Sequence, residues 1–281
     1  MTAAKDLGAV VRSMKALAAS SITQYEQAVA ALDAYYRTVQ LGLSVCLRAG
    51  ASRRTHEAPT GTVLGAILIG SDQGLVGRFN EVLFDFARGQ IHSTTRKIGP
   101  IWSVGDRMQQ LAAEFVHAEA RTFTVPISVE AITTLVNEIL IALEKAREQG
   151  LVDEIRIFHN RPTAGSGYDP IGERLLPLDA PWQSQLTARA WPSRVIPEII
   201  GTIDTAVEHF TREYLFVVLF RACAESLASE NATRLAAMQR ADENIQDIQA
   251  DLKRRYQRMR QGAIDEELFD VLSGYELQRR P

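Results

Sequence analysis

Residues 224–268 read AESLASENATRLAAMQRADENIQDIQADLKRRYQRMRQGAIDEEL, and this stretch decides the fold. It lies in a long proline-free interval, because after Pro197 the next proline is Pro281. Roughly 75 residues here read as one helix, ~110 Å long at the α-helical rise. One lane recurs every seventh residue: Val217, Ala224, Asn231, Met238, Ile245, Leu252 and Met259. A seven-residue repeat keeps one seam turned toward a partner helix, which is the coiled-coil condition. A helix of that length serves as a shaft, a spacer or a lever rather than as a catalytic element.

The start of the chain carries a second heptad pattern. Leu7, Met14, Ser21, Ala28, Tyr35 and Gly42 form one lane, and Val11, Ala18, Tyr25, Leu32, Val39 and Cys46 the other. Ser21 and Gly42 weaken it. Alternating steps of four and three are what a coiled-coil seam requires. The economical expectation is that the two end helices pair with each other, antiparallel, with the longer C-terminal one projecting beyond its partner. The alternative is two amphipathic helices packed on a globular core.

Between them the pattern changes. Ala51–Gly61 is rich in breakers. Val63–Ile69 (VLGAILI) reads as a buried strand that runs into the glycine-rich Gly70–Gly77 and then a helix over Asn80–Gly89. Pro100–Val104 reads as a second strand, and Asp106–Glu114 and Ile127–Gln149 as helices. Glu154–Asn160 and Glu173–Leu178 are two more strands, separated by a Gly-rich turn. Strands that alternate with helices predict a mainly parallel sheet covered by helices. Prolines 177, 181, 192 and 197 mark the exit into the long helix. The expected division is 1–50 for the first coiled-coil helix, 51–190 for an α/β domain, and 191–281 for the long C-terminal helix.

Composition narrows the function. The chain has 281 residues, 46% hydrophobic and 23% charged, enough for one sizeable core plus an extended element. A net charge of -3 gives no basic field for nucleic acid. The opening MTAAKDLGAVVRSMKALAAS lacks the apolar core of a secretory signal. The most apolar run, Tyr214–Phe220 (YLFVVLF), is far too short to span a bilayer. Cys46 and Cys223 fit a reducing compartment and offer no metal signature.

Catalytic and cofactor readings find little support. Gly70–Asn80 (GSDQGLVGRFN) stands between a strand and a helix, where phosphate loops stand, but Arg78-Phe79 replace the Lys and Ser/Thr of a P-loop. Its glycines at 70, 74 and 77 also miss the dinucleotide spacing. A tight turn or a contact surface for another protein suits it better. Histidines 56, 92, 117, 159 and 209 are scattered without acidic company, so no metal site is expected. Ser166 lacks the strand–elbow–helix context of a nucleophile. No catalytic residue, metal or cofactor is therefore expected. Lys253, Arg254, Arg255, Arg258 and Arg260 make a basic run that reads as a solvated helix face or as a meeting point for an acidic partner.

Three motifs carry a resemblance. Ala228, Ser229, Glu230, Ala232, Arg234, Ala237, Met238 and Ala241 form an "ASE…AR…AM…A" run. Arg260, Gln261, Ile264 and Glu267 form an "RQ…I..E" run, and Ser71, Asp72, Gly74, Leu75, Gly77 and Asn80 an "SD.GL.G..N" motif. From about Val63 onward, the chain resembles the gamma subunit of F-type ATP synthases. Asp153–Asn160 followed by Leu175–Pro177 is similar to that family's closing strands. The N-terminal arm departs from the family's basic "KIT.AM.MVA" stretch: Ser13-Met14-Lys15 matches what precedes it and Ile22-Thr23 its centre, the two anchors hold together only with a gap, and the basic residues and methionines are missing. A divergent branch, such as the alternative and sometimes sodium-linked ATPases, fits that departure. The plant regulatory insertion with its paired cysteines is also missing.

The resemblance implies an α/β fold class: a long antiparallel coiled coil of N- and C-terminal helices with an inserted small Rossmann-like α/β domain. It implies a non-catalytic central rotor shaft without nucleotide, peripheral to the cytoplasmic face of the inner or plasma membrane. Its coiled coil would sit in the α3β3 ring, and its α/β domain would stand beside epsilon on the c-ring. That shaft would couple ion transport, hydrogen ion or sodium, to ATP synthesis or hydrolysis. The implied contact residues are Arg260, Gln261, Ile264 and Glu267, with Ser71, Asp72, Gly74, Leu75, Val76, Arg78 and Asn80. The alternative is a coiled-coil adaptor or tether with an α/β head.

Overall fold

The computed structural model describes residues 2–49, 63–94, 96–113, 120–164, 167–178, 180–195 and 197–278. Ser166, His56, His117 and the breaker-rich 51–61 lie outside the described residues. The chain opens with α1 (Thr2–Arg48), a single helix of 47 residues. Then come β1 (Val63–Ile69), α2 (Phe79–His92), β2 (Lys97–Val104), α3 (Asp106–Ala112), β3 (Ala120–Phe123) and α4 (Val129–Glu148). β4 (Glu154–Pro162), β5 (Tyr168–Leu176) and α5 (Ala180–Ala188) lead to α6 (Ile203–Gln278), one helix of 76 residues.

The sheet order is β3-β2-β1-β4-β5. β1 runs parallel to β2 and β4, β2 parallel to β3, and only β5 is antiparallel. β1 is apolar throughout because it is buried on both faces, as a central parallel strand must be. On one face Leu64, Ala66, Leu68, Ile101 and Phe158 pack against Leu83, Phe84, Ala87 and Ile91 of α2 and Met108 of α3. On the other, Ile67, Ile69, Val104, Ile155 and Ile157 pack against Ile132, Val136 and Ile139 of α4 and Leu219, Cys223 and Leu227 of α6, with Tyr25 and Val39 of α1.

Contacts divide the chain into two compact units, residues 18–234 and residues 1–17 with 235–281. In the larger one, Gly42 faces Phe210, Tyr36 stacks on Tyr214, and Asp33 pairs with Arg221. Numbers rise on α1 as they fall on α6, so the helices are antiparallel. In the smaller unit, Gly8 faces Ile245, and Lys15 Nζ lies 3.2 Å from Asp242 Oδ2, again antiparallel. Val11, Met238 and Ile245 form its core with Met14, Ala237 and Ala241.

The two lanes of α1 are not equivalent. Val11, Ala18, Tyr25, Val39 and Cys46 are buried, whereas Leu7 and Tyr35 are exposed. The first lane is therefore the flank of the seam. Tyr35 keeps its polar end in water, where its hydroxyl donates to Glu213. On α6 the lane is buried through Ile245, then exposed at Leu252 and Met259.

Three elements depart from the sequence reading. β3 was not expected, since four residues (ARTF) are too few to show a period. β5 begins at Tyr168 instead of Glu173: Pro170 and Gly172 disguise an edge strand, where a missing N–H is tolerated. A Cβ at Gly172 would stand 2.7 Å from the Phe158 ring, so only glycine fits there without displacing it. α5 replaces the expected proline-marked exit, with Pro181 in its first turn.

Candidate functional site

In an open sheet of this kind, ligands bind outside the carboxyl ends of the strands, where the order reverses. That point lies between β1 and β4. The loop leaving β1 there turns inward on itself. The Ser71 N–H donates to Asn80 Oδ1 at 2.9 Å, and Asn80 Nδ2 donates to Ser71 Oγ at 2.9 Å. Asp72 Oδ1 accepts the Asp106 N–H at 3.0 Å, meeting one orphan donor at the start of α3. The Arg107 N–H donates to Ser71 O at 3.1 Å. Gly70 is dictated by space, because a Cβ would fall 2.6 Å from both Asn80 Oδ1 and Met108 Cβ. Leu75 and Gly77 take positive φ, 66° and 58°, which lets the tip reverse in few residues.

Helix α6 closes the crevice. Ser226 Oγ donates to Ile69 O at 3.2 Å, and Ser229 Oγ shares its one proton between Asn160 O at 3.1 Å and Glu225 O of its own helix at 2.9 Å. Those carbonyls belong to β1 and β4, the two strands that bound the switch point. Asn160 Nδ2 in turn donates to Phe79 O at 3.1 Å. Glu230 is buried beside Arg234, to which it is paired. Burial pushes the Glu230 carboxyl above the usual range, Asp72 adds to this, and Arg234 opposes it.

The expected contact residues therefore fall into two groups. Ser71, Val76 and Asn80 are buried and hold the loop. Val76 is 2% exposed, drawn under the loop as an apolar anchor. Gly74, Leu75 and Arg78 are exposed and Asp72 is half-buried. Leu75 is 62% exposed, an apolar side chain at a polar tip. Arg78 Nη2 reaches Asp85 at 3.9 Å.

The second site lies in the smaller unit, on α6. Arg260, Gln261, Ile264 and Glu267 are all exposed. Large apolar side chains accompany them: Tyr256, Met259, Leu268 and Phe269 are exposed on the same helix. Asp251 engages Arg254 and Arg255. Among the described residues, Lys253, Arg258 and Arg260 form no ion pair. A helix stretch with both apolar and unpaired cationic side chains in water suits a partner that carries acidic and apolar groups.

Among the described residues no group of three His, Cys, Asp or Glu side chains could hold a metal ion. Among them, too, no helix is long and apolar enough to cross a membrane. Burial pushes the Cys223 thiol up to about 12, so it stays protonated and inert. The sequence missed two things here: the closure of the crevice by Ser226 and Ser229, and a buried pair of His159 with Glu225.

Comparison with known proteins bears on the chain as a whole. The model of the ATP synthase family matches residues 1–276. The ATP synthase gamma chain of Polynucleobacter necessarius is 23% identical over 274 residues, covering 94% of this chain and 92% of the relative. That of Dechloromonas aromatica is 28% identical over 218 residues, covering 75% and 72%. Among solved structures, the rotor of the Euglena gracilis mitochondrial ATP synthase matches with a TM-score of 0.61 at 17% identity, over 94% of this chain and 95% of that one. The central stalk and c-ring structure of the Tetrahymena thermophila mitochondrial ATP synthase matches with a TM-score of 0.56 at 16% identity, over 83% and 99%. Both share the fold of this chain, in which a five-stranded mixed sheet stands between long helices at the two ends.

Proposed function

The chain belongs to the ATP synthase gamma family, and from that premise we propose that it is the rotor shaft that couples ion flow through a membrane c-ring to ATP synthesis or hydrolysis in an α3β3 ring. It performs no chemistry itself. Its partners are the alpha and beta subunits, the epsilon subunit and the c-ring. It lies peripheral to the membrane, on the cytoplasmic face. The working division is 1–50 for the part that carries α1, 51–190 for an α/β domain that meets epsilon and the c-ring, and 191–281 for the part that carries α6 and meets the ring.

The observation that carries this reading is the change in burial along α6. Between Tyr214 and Glu230 no residue is exposed and most are buried, and from Lys253 to Phe269 every one is exposed. One helix is thus gripped by its own α/β unit over one stretch and offers another stretch to a partner. Such a helix acts on catalytic sites only through unequal contact with them: it shifts an equilibrium by its differential affinity for the states of each subunit. Arg260, Gln261, Ile264 and Glu267 supply that contact from α6. Leu75 and Arg78, held up by Ser71, Asp72, Val76 and Asn80, supply a second one with the ring from the β1–α2 loop, where Gly74 leaves room for close approach.

Arg260→Ala in the assembled complex tests the reading. ATP hydrolysis should continue while ion pumping per ATP falls several-fold, and the chain's own melting temperature should hold, because Arg260 is exposed. An unchanged pumping-to-hydrolysis ratio would remove Arg260 from the contact. A purified complex of this chain without alpha and beta subunits would favour the adaptor reading instead.

A further inference from the structure

Under α4, near the β3 edge of the sheet, the larger unit carries a groove of about 440 Å³. Its depth comes from small residues over an irregular strand. Between Leu64 and Ala66 a single residue of β1, Gly65, stands opposite two of β2, Gly99 and Pro100. Such a bulge bends its strand and re-aims the side chains beside it. A Cβ at Gly65 would fall 2.8 Å from Trp102 Cζ3 and from Val152 Cγ2, so glycine there lets the indole lie down on the sheet. Trp102 is only 3% exposed. On the opposite wall Ala142 and Ala146, one turn apart on one face of α4, contribute methyl groups alone. Pro100 and Leu151 complete the apolar lining.

The polar part of the lining is Arg121 of β3 with Lys145 and Gln149 of α4, all exposed. Among the described residues no carboxylate lines the groove, and neither cation forms an ion pair. Glu144, next to Lys145 in the chain, is taken by Arg212. The Arg121 guanidinium lies 4.9 Å over the Phe123 ring, a contact that orients its plane but supplies no counter-charge. The Trp102 indole N–H makes no hydrogen bond among the described residues either. Small-molecule sites start at roughly 300 Å³, so this volume suffices for one. A lining that is apolar, and cationic without counter-charge, suits an apolar body with one negative group. Burial of the body supplies affinity, and the cations choose the sign of the charge. Trp102 and Arg121 both carry planar groups, which stack best on a flat ring.

We propose that this groove binds a small aromatic carboxylate, with the ring against Trp102, Ala142 and Ala146 and the carboxylate taken by Arg121 and Lys145. Binding is non-covalent and displaces water. None of the lining comes from the β1–α2 loop or from α6, so the site stands or falls separately from the contacts of the rotor shaft.

Titration of the full chain with sodium 2-naphthoate tests this, followed through the indole N–H resonances of its 3 tryptophans. The Trp102 signal should move and saturate while those of Trp182 and Trp191 hold. Trp102→Phe assigns the signal by its loss; should that variant fail to fold, Trp182→Phe and Trp191→Phe assign it by elimination. The neutral 2-naphthamide should bind at least about fivefold more weakly. Arg121→Gln with Lys145→Gln, both at exposed positions, should weaken naphthoate at least about tenfold and leave the melting temperature nearly unchanged. A Trp102 signal that ignores naphthoate, equal affinity for the amide, or full affinity in the double variant would overturn the assignment. So would a Gln149→Cys cross-link to another subunit or to a second copy of this chain with Trp102 silent toward naphthoate, which would give the groove to a protein.

Discussion

Gly42 breaks a heptad lane of α1, and the structure supplies the reason. A Cβ built there would stand 2.3 Å from Cε1 and Cζ of Phe210 on α6 and 2.9 Å from Cδ1. Ordinary carbon–carbon contact is ~3.5 Å or more, so the ring would have to retreat by about 1 Å. Phe210 is packed against the larger core cluster, which limits that retreat. Gly42→Ala therefore sets two effects against each other. Replacing a helical glycine by alanine gains about 0.8–1 kcal/mol. Forcing a methyl group into a filled space costs about 1–3 kcal/mol. The net expectation is a loss of up to about 2 kcal/mol. A double-mutant cycle isolates the clash: in a Phe210→Ala background the ring is gone, so Gly42→Ala should now stabilise by about 1 kcal/mol. Urea denaturation followed by two probes gives the four stabilities. If Gly42→Ala stabilises equally in both backgrounds, the helices do not approach here as described.

Other outcomes follow from the same geometry. A cysteine at Leu75, the exposed tip of the β1–α2 loop, should cross-link to a beta subunit in the assembled complex; capture of epsilon or the c-ring alone would put the loop on another surface. Ala224 is fully buried, so Ala224→Leu should cost about 1–3 kcal/mol and lower the melting temperature by about 2–12 °C, whereas Gln27→Glu on the exposed face of α1 should change it little; equal silence would refute the packing. At Glu225 burial disfavours the charged form, but the hydrogen bonds from His159 and Arg161 outweigh it and hold the carboxyl below the usual range. A depressed carboxyl contributes stability that is present above its unfolded value, about 4.3, and is lost as pH falls through the folded one. The stability gap between the unmodified chain and Glu225→Gln should therefore shrink on acidification below about pH 4, and a gap that widens would contradict the sign.

Long periods were legible in the sequence and short elements were not. The 76-residue α6 announced itself through a proline-free interval and a seven-residue lane, and β1 through an unbroken apolar run. β3 offers four residues and β5 contains both Pro170 and Gly172, so neither shows a period, and their place is set by pairing with β2 and β4. The lanes named the seam of α1 but not its centre, because Leu7 and Val11 are equally apolar and only packing shows which is covered. For the candidate site, the exposed group around Arg260 could be found by pattern. Ser71 and Asn80 could be found only as a motif. Their mutual hydrogen bonds join positions nine apart across a turn, a relation that no periodicity encodes.

The way α6 meets the switch point explains how a nucleotide-type sheet can serve as a seat for a helix. Strand ends there normally leave backbone carbonyls to water or ligand. Here Ile69 O and Asn160 O accept from Ser226 and Ser229, three residues apart and on one face of α6. Ala222, Ala224 and Ala228, all buried, keep that part of the helix slim. Small side chains allow close approach, and the two hydroxyls satisfy acceptors that burial would otherwise leave orphaned. Glu225 extends the attachment to His159 and Arg161 on β4. The bonds reach both strands that flank the switch point, so twisting α6 about its axis strains two independent anchors instead of one. A helix seated by apolar packing alone could slip over its neighbours at modest cost. One fixed by directional bonds to two strands resists such slip, and the "ASE" motif lies beside those bonds.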